Sequence, residues 1–149
     1  MMNRVPKLLA VIDYQNDFVT GSLGFEGAAA IDDGIARLAQ TYLAQGDHVL
    51  FTYDTHDDLY LETREGRALP IPHCNPNETG WRLYGKTQAL CCETCANHQI
   101  HTVCKHTFGM PPAELTKLGQ ELPDLREIMV VGVVTNMCVL SNAVLLQAQ

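Results

Sequence analysis

The run Leu8-Leu9-Ala10-Val11-Ile12 is apolar at every position and stops at Asp13. A strand with one wet face alternates apolar and polar residues. An unbroken run of this length is therefore the pattern of a strand buried on both faces, as in a parallel sheet covered by helices. His48-Val49-Leu50-Phe51-Thr52-Tyr53 is a second such strand, ending at Asp54, and residues 128–134 are a third, interrupted only by Gly132. His101-Thr102-Val103-Cys104 is a weaker strand that ends at Lys105. Residues 31–45 place Ile31, Ile35, Leu38, Ala39 and Tyr42 on one helical stripe, and Gly46 then stops the helix in the usual C-terminal position. Helices are also predicted over residues 113–122 and from near Cys138 to Gln149, whereas the stretch between Asp54 and His101 reads as a long loop bearing Pro and Gly. Strands alternating with helices predict an α/β fold with a mostly parallel sheet, in one domain spanning residues 1–149.

In such folds ligands bind outside the carboxyl ends of the strands. Asp13, Asp54 and Lys105 each stand at such an end, and Cys138 lies just beyond the third long strand. A charged group after one apolar strand means little, but four chemically complementary groups in this arrangement mark a site. Cys138 is the candidate nucleophile. Its thiol, with an ordinary pKa of ~8.5, needs a nearby cation, a base or a helix N-terminus to react at neutral pH. The strand–turn–helix pattern supplies a helix start, Lys105 the cation and Asp13 the proton acceptor.

Asp54 and His56 lie two apart at a strand end, so their side chains can share a face. With His73 they offer the oxygen and nitrogen ligands suited to a Zn²⁺-like ion, and Glu65 is a possible fourth. A second Cys/His-rich stretch holds Cys91, Cys92, Cys95, His98 and His101. Its C-x-x-C is cramped and lacks a second regularly spaced ligand pair, so incidental cysteines are the expected reading. Trp81 is expected in the core rather than in a pocket wall.

The formal net charge of −7 and the scattered Lys and Arg argue against a nucleic-acid partner. No segment approaches the ~20 apolar residues of a membrane helix. The N-terminal residues are too few and too mixed for a secretory signal. A cytoplasmic protein with reduced cysteines and no membrane partner is the expectation.

Ile12-Asp13-Tyr14-Gln15-Asn16-Asp17-Phe18 resembles the opening motif of the isochorismatase-like cysteine hydrolases, nicotinamidases included, and Gly132-Val133-Val134-Thr135-Asn136-Met137-Cys138-Val139 resembles their nucleophile motif. Asp54-Thr55-His56, Pro72-His73-Cys74 and Thr79-Gly80 are similar to the middle of nicotinamidase-type members. The resemblance implies a Rossmann-like three-layer domain in which Cys138, Asp13 and Lys105 form a triad that hydrolyses the C–N bond of a small amide through a thioester. It further implies an oxyanion hole of the Val134 and Cys138 backbone N–H groups, a cis peptide at Val133–Val134, and a substrate contact at Phe18. The metal, held by Asp54, His56 and His73, would bind a pyridine nitrogen, and no organic cofactor is expected. Nicotinamide leads as substrate, with a carbamoyl or ureido compound next and a non-catalytic binding or scaffold protein as the rival from another class. Pro70 stands where nicotinamidases often carry Trp. Relative to the family the chain stops early, so C-terminal strands are expected to be missing, and a homo-oligomer is expected.

Overall fold

β1 (Lys7–Ile12) occupies the middle of the sheet, and Leu8 to Ile12 have no solvent exposure at all. The computed structural model describes residues 4–93 and 96–148. After β1 come α1 (Asn16–Val19), α2 (Asp32–Ala44), β2 (His48–Asp54), α3 (Arg64–Ala68), α4 (Gly85–Glu93), β3 (Ile100–Lys105), α5 (Pro112–Glu121), β4 (Glu127–Gly132) and α6 (Leu140–Gln147). The sheet has four strands, all parallel, in the order β3-β2-β1-β4. The chain steps outward from β1 through β2 to β3, then crosses back to place β4 on the other side of β1. That reversal opens a crevice at the carboxyl ends of β1 and β4, where α/β sheets bind ligands.

Alternate residues of the inner strands feed two cores. Leu9, Val11, Val49 and Phe51 pack against Ile35, Ala39 and Tyr42 of α2 and Leu90 of α4. Leu8, Ala10, Ile12 and Leu50 pack against Leu115 and Leu118 of α5 and Leu146 of α6. The result is the three-layer α/β/α arrangement expected from the uninterrupted apolar runs. Among the described residues no helix is long and apolar enough to cross a membrane.

The helix over 31–45 is present as α2, and Gly46 ends it with φ of 80° while Asp47 N–H bonds back to Tyr42 O at 2.9 Å. The segment between Asp54 and His101 is not the long loop the sequence suggested. It contains α3, α4 and two 3₁₀ turns, Tyr60–Glu62 and Thr79–Trp81. The start of α4 is held from a distance: Asp32 accepts from Lys86 N at 2.7 Å and from Thr87 N at 3.0 Å, filling the place of an N-cap.

The third long strand also ends earlier than expected, at Gly132 rather than residue 134. Gly132 pairs with Ile12 at φ of 123°, a conformation open to glycine alone, and the Val133–Val134 peptide that follows is cis. A Cβ on Gly132 would lie 2.1 Å from Ile12 O, a backbone atom with little room to yield. Gly132→Ala is therefore expected to destabilise the fold by about 2–5 kcal/mol, combining a glycine-only backbone with an overpacked contact. A urea-unfolding midpoint equal to that of the parent would show that the turn has another solution.

Candidate active site

Asp13 leaves the end of β1 with φ of 48°, unusual for a non-glycine residue. Thr52 of β2 fixes this geometry at two points. Its Oγ1 accepts from Asp13 N at 3.1 Å and donates to Asp13 Oδ1 at 2.6 Å. The other carboxylate oxygen, Oδ2, lies 2.7 Å from Lys105 Nζ. That ion pair apart, Oδ2 has no well-aligned hydrogen bond among the described residues.

Lys105, the last residue of β3, has no exposure to solvent. Its ammonium lies 2.7 Å from Asp13 Oδ2, 3.0 Å from Asp54 Oδ1, 3.0 Å from Thr107 O and 3.5 Å from Cys138 Sγ. The two flanking carboxylates outweigh burial and hold the ammonium above its ordinary pKa, so it stays charged.

Cys138 is buried, and its thiol lies beside the Asp13 carboxyl. It lies, as the sequence suggested, near the start of a helix. A π-helical turn, Thr135–Val139, carries it, and α6 begins only at Leu140. Burial pushes the thiol up from its ordinary pKa, the Asp13 carboxylate adds to this, and Lys105 opposes it incompletely. These influences favour the protonated thiol at rest. Burial also raises the Asp13 carboxyl, against the pull of Lys105, which makes it a better proton acceptor than an exposed aspartate.

The second cluster shares Asp54 with the first. Asp54 Oδ2 is 3.0 Å from His56 Nε2 and 3.2 Å from His73 Nε2, and Glu65 Oε1 is 3.6 Å from His56 Nε2. The ligand atoms of these four residues all lie within 4.8 Å of one another. Nδ1 of His73 is 2.7 Å from Ile71 O, so it donates there and turns the Nε2 lone pair inward. A His73 lone pair facing the Asp54 carboxylate at 3.2 Å requires a shared proton or a cation between them, and the oxygen–nitrogen donor set suits Zn²⁺ or a similar ion. Burial would raise Asp54, but its contacts with both imidazoles and the Lys105 charge carry it well below the usual carboxylate range.

A cavity of about 310 Å³ joins the two clusters. Cys138, Asp54, Glu65 and His73 line its polar end, and Phe18, Phe25 and Phe108 belong to an otherwise apolar wall with Val134 and Met137. Phe18 meets the His73 ring edge-on at 5.4 Å. Every residue singled out from the sequence for catalysis, metal binding or substrate contact therefore lies in or beside one cavity. Trp81 packs outside it, its ring 4.8 Å from that of Tyr53 and its Nε1 donating to Thr55.

Several supporting residues escaped the sequence reading. Thr52 is the one small polar residue in the mostly apolar run of β2, a signal that could have been used. Gln15 donates to Asp54 O at 2.9 Å and accepts from Asp54 N at 2.8 Å, clamping the end of β2. Asp17 accepts from Cys74 N at 2.7 Å, holding the residue after His73 at φ of 53°. Of the Cys/His-rich stretch, Cys92 is exposed and contacts Gln88, Cys91 lies against the Tyr53 hydroxyl, and Cys95 falls outside the described residues.

The family model described as the isochorismatase domain matches residues 7–146. The chain is 30% identical over 141 residues to the isochorismatase family protein PncA of Bacillus subtilis (strain 168), covering 93% of this chain and 76% of that one. The crystal structure of nicotinamidase PncA from Bacillus subtilis superposes with a TM-score of 0.80 at 32% identity, over 93% of this chain and 77% of that chain. The pyrazinamidase/nicotinamidase of Streptococcus mutans UA159 gives 0.83 at 28% identity, with the same coverage of 93% and 77%.

Proposed function

The chain belongs to the isochorismatase family, and within it we propose an amidase that uses Cys138, Asp13 and Lys105 to hydrolyse a small aromatic carboxamide, nicotinamide first among them. The observation that carries this reading is the contact of all three groups beside an apolar cavity whose polar end joins Cys138 to Asp54, Glu65 and His73. Similarity to nicotinamidases supports the substrate class, and a flat heteroaromatic amide matches the phenylalanine-lined wall.

As the Cys138 thiol attacks the amide carbonyl carbon, its proton passes to Asp13. The upward shift of the buried thiol favours transfer concerted with attack. The oxyanion that forms is held by the backbone N–H groups of Val134 and Cys138 at the turn. Asp13 then delivers the proton to the departing nitrogen, ammonia leaves, and an acyl thioester remains. Water adds to the thioester, giving a proton to Asp13 and then to the sulfur, and the carboxylic acid is released. Lys105 stays charged throughout and keeps Asp13 in line with the sulfur. A divalent ion bound by Asp54, His56 and His73, with Glu65 beside them, would supply Lewis-acid anchorage for a ring nitrogen. These residues thereby fix which edge of the ring faces Cys138.

Ammonia release from a panel containing nicotinamide, pyrazinamide, benzamide and a ureido compound tests the reading. Nicotinamide is expected to be fastest, with benzamide slower because it lacks the ring nitrogen. No ammonia from any of them would sink the amidase assignment, and preference for the ureido compound would move the substrate class.

His56→Ala should lower bound metal in the purified protein and raise KM for nicotinamide by about 10- to 100-fold, the range seen when metal-site support is removed. Elemental analysis checks the first outcome without reference to activity. Unchanged metal content and unchanged KM would remove His56 from the site.

A further inference from the structure

At the end of the sheet opposite the active site, β2 begins with His48 and β3 carries His101 as its second residue. Leu50 and His101 are register partners, so His48, two residues earlier, projects from the same face of the sheet. Their rings meet: His48 Nδ1 lies 3.1 Å from His101 Nε2, with centroids 5.3 Å apart. The far nitrogen of His101, Nδ1, is 3.2 Å from Glu121 Oε2 of α5. All three, together with His98 from the turn before β3, line a cavity of about 480 Å³. His48 and Asp54 bound β2, and six residue steps of strand, about 20 Å, separate this cluster from the catalytic end.

The geometry points to a second metal site here: His48 Nδ1 and His101 Nε2 form a pincer for a divalent transition ion such as Zn²⁺ or Co²⁺, and His98, exposed on the turn lining the same cavity, would swing in as the third ligand. Glu121 sets the chemistry of the pair. By accepting the Nδ1 proton of His101 it fixes the tautomer whose Nε2 carries a lone pair, the carboxylate–histidine arrangement typical of metal ligands. His48 then donates its Nδ1 proton to that lone pair in the absence of metal, and a shift of the proton to its own Nε2 turns the hydrogen bond into a chelate. Two nitrogens 3.1 Å apart match adjacent ligands on an ion with ~2.0–2.1 Å metal–nitrogen bonds. Lys117 also lines the cavity, but its charge is partnered by Glu121 at 4.0 Å. The Cys/His-rich stretch thus contributes through His98 and His101, whereas the decisive partner, His48, comes from another strand.

The test uses untagged protein with reduced thiols and an active-site metal knockout as background. In His56→Ala, Co²⁺ should still bind, with an imidazole-type visible spectrum and no thiolate charge-transfer band, and Zn²⁺ should raise Tm by linking β2, β3 and the turn. Both effects should vanish in His56→Ala/His48→Gln and in His56→Ala/His101→Gln. Glu121→Gln and His98→Ala, changes at exposed positions that spare the fold, should each weaken Zn²⁺ binding about tenfold by calorimetry. Equal Zn²⁺ affinity with and without His48 and His101 overturns the proposal, as does a thiolate band that places the ion on cysteine. If the pincer variants fail to fold, wild-type affinity in both Glu121→Gln and His98→Ala overturns it. Loss of the active-site metal reading leaves a distinct signature, since wild type would then bind one ion that His48→Gln removes.

Discussion

Cys138→Ala is expected to reduce amide turnover by about 10⁴-fold or more while leaving the fold in place. Removing a covalent nucleophile abolishes the acyl intermediate, and the residual rate comes only from whatever the oxyanion donors and positioning provide. The structure makes the control clean. The sulfur is buried between Asp13 and Lys105, so its loss leaves only a small void, costing about 1 kcal/mol. Asn142 accepts from Met110 N at 2.8 Å and donates to Cys138 O at 2.9 Å, and these bonds hold the π-helical turn through backbone atoms that the substitution does not touch. Ammonia release and a thermal melt on the same preparation decide the matter. An alanine variant that keeps a tenth of the parent rate would place the nucleophile elsewhere.

Lys105→Met should damage both stability and activity. In the parent, one ammonium separates the buried carboxyls of Asp13 and Asp54 at 2.7 and 3.0 Å. Methionine fills similar space but leaves these two acids facing each other without a cation, a change that typically costs about 3–5 kcal/mol. The carboxyl pKa values then rise in the folded state, because burial and mutual repulsion lose their counterweight. A carboxyl whose pKa is higher folded than unfolded contributes stability below its unfolded pKa of ~4 and loses it as pH climbs toward the folded value. The stability deficit of the variant should therefore widen between about pH 4 and pH 7, and urea melts across that range measure it. Turnover should fall in parallel, since a protonated Asp13 cannot accept the Cys138 proton. Lys105→Arg keeps the charge but presents a planar fork too large for a site closed on all sides, so it should recover part of the stability and little of the activity. Parent-like melts and rates for Lys105→Met would reduce the residue to a passive spacer.

Local pattern carried a large part of this fold. The unbroken apolarity of Leu8–Ile12 determined a doubly buried parallel strand, since no one-sided sheet tolerates it. The stripe from Ile35 to Tyr42 with Gly46 after it determined α2 and its end. Both readings depend on periodicities that a dozen neighbouring residues contain in full. The convergence of the candidate site residues was legible for a related reason: polar groups placed directly after buried strands meet once the strands are parallel, and the motifs around Asp13 and Cys138 are contiguous.

What the sequence by itself determined, then, was which segments are strands and helices and which residues gather at the carboxyl end of the sheet. Tertiary structure alone decided what depends on neighbours distant in the chain. α4 was missed because the group that caps it, Asp32, lies over fifty residues away in α2. The end of β4 was misjudged because the close approach of Gly132 to Ile12 O is a property of strand pairing. The upward shift of the Cys138 thiol could not be read from a helix start, since desolvation and the adjacent Asp13 charge outweigh the Lys105 cation only after packing. His48 and His101, fifty-three positions apart, became neighbours through the register of β2 and β3. Secondary structure follows from short-range sterics and periodicity, whereas a pKa, a cap from afar or a ligand pair follows from which surfaces the strand order brings into contact.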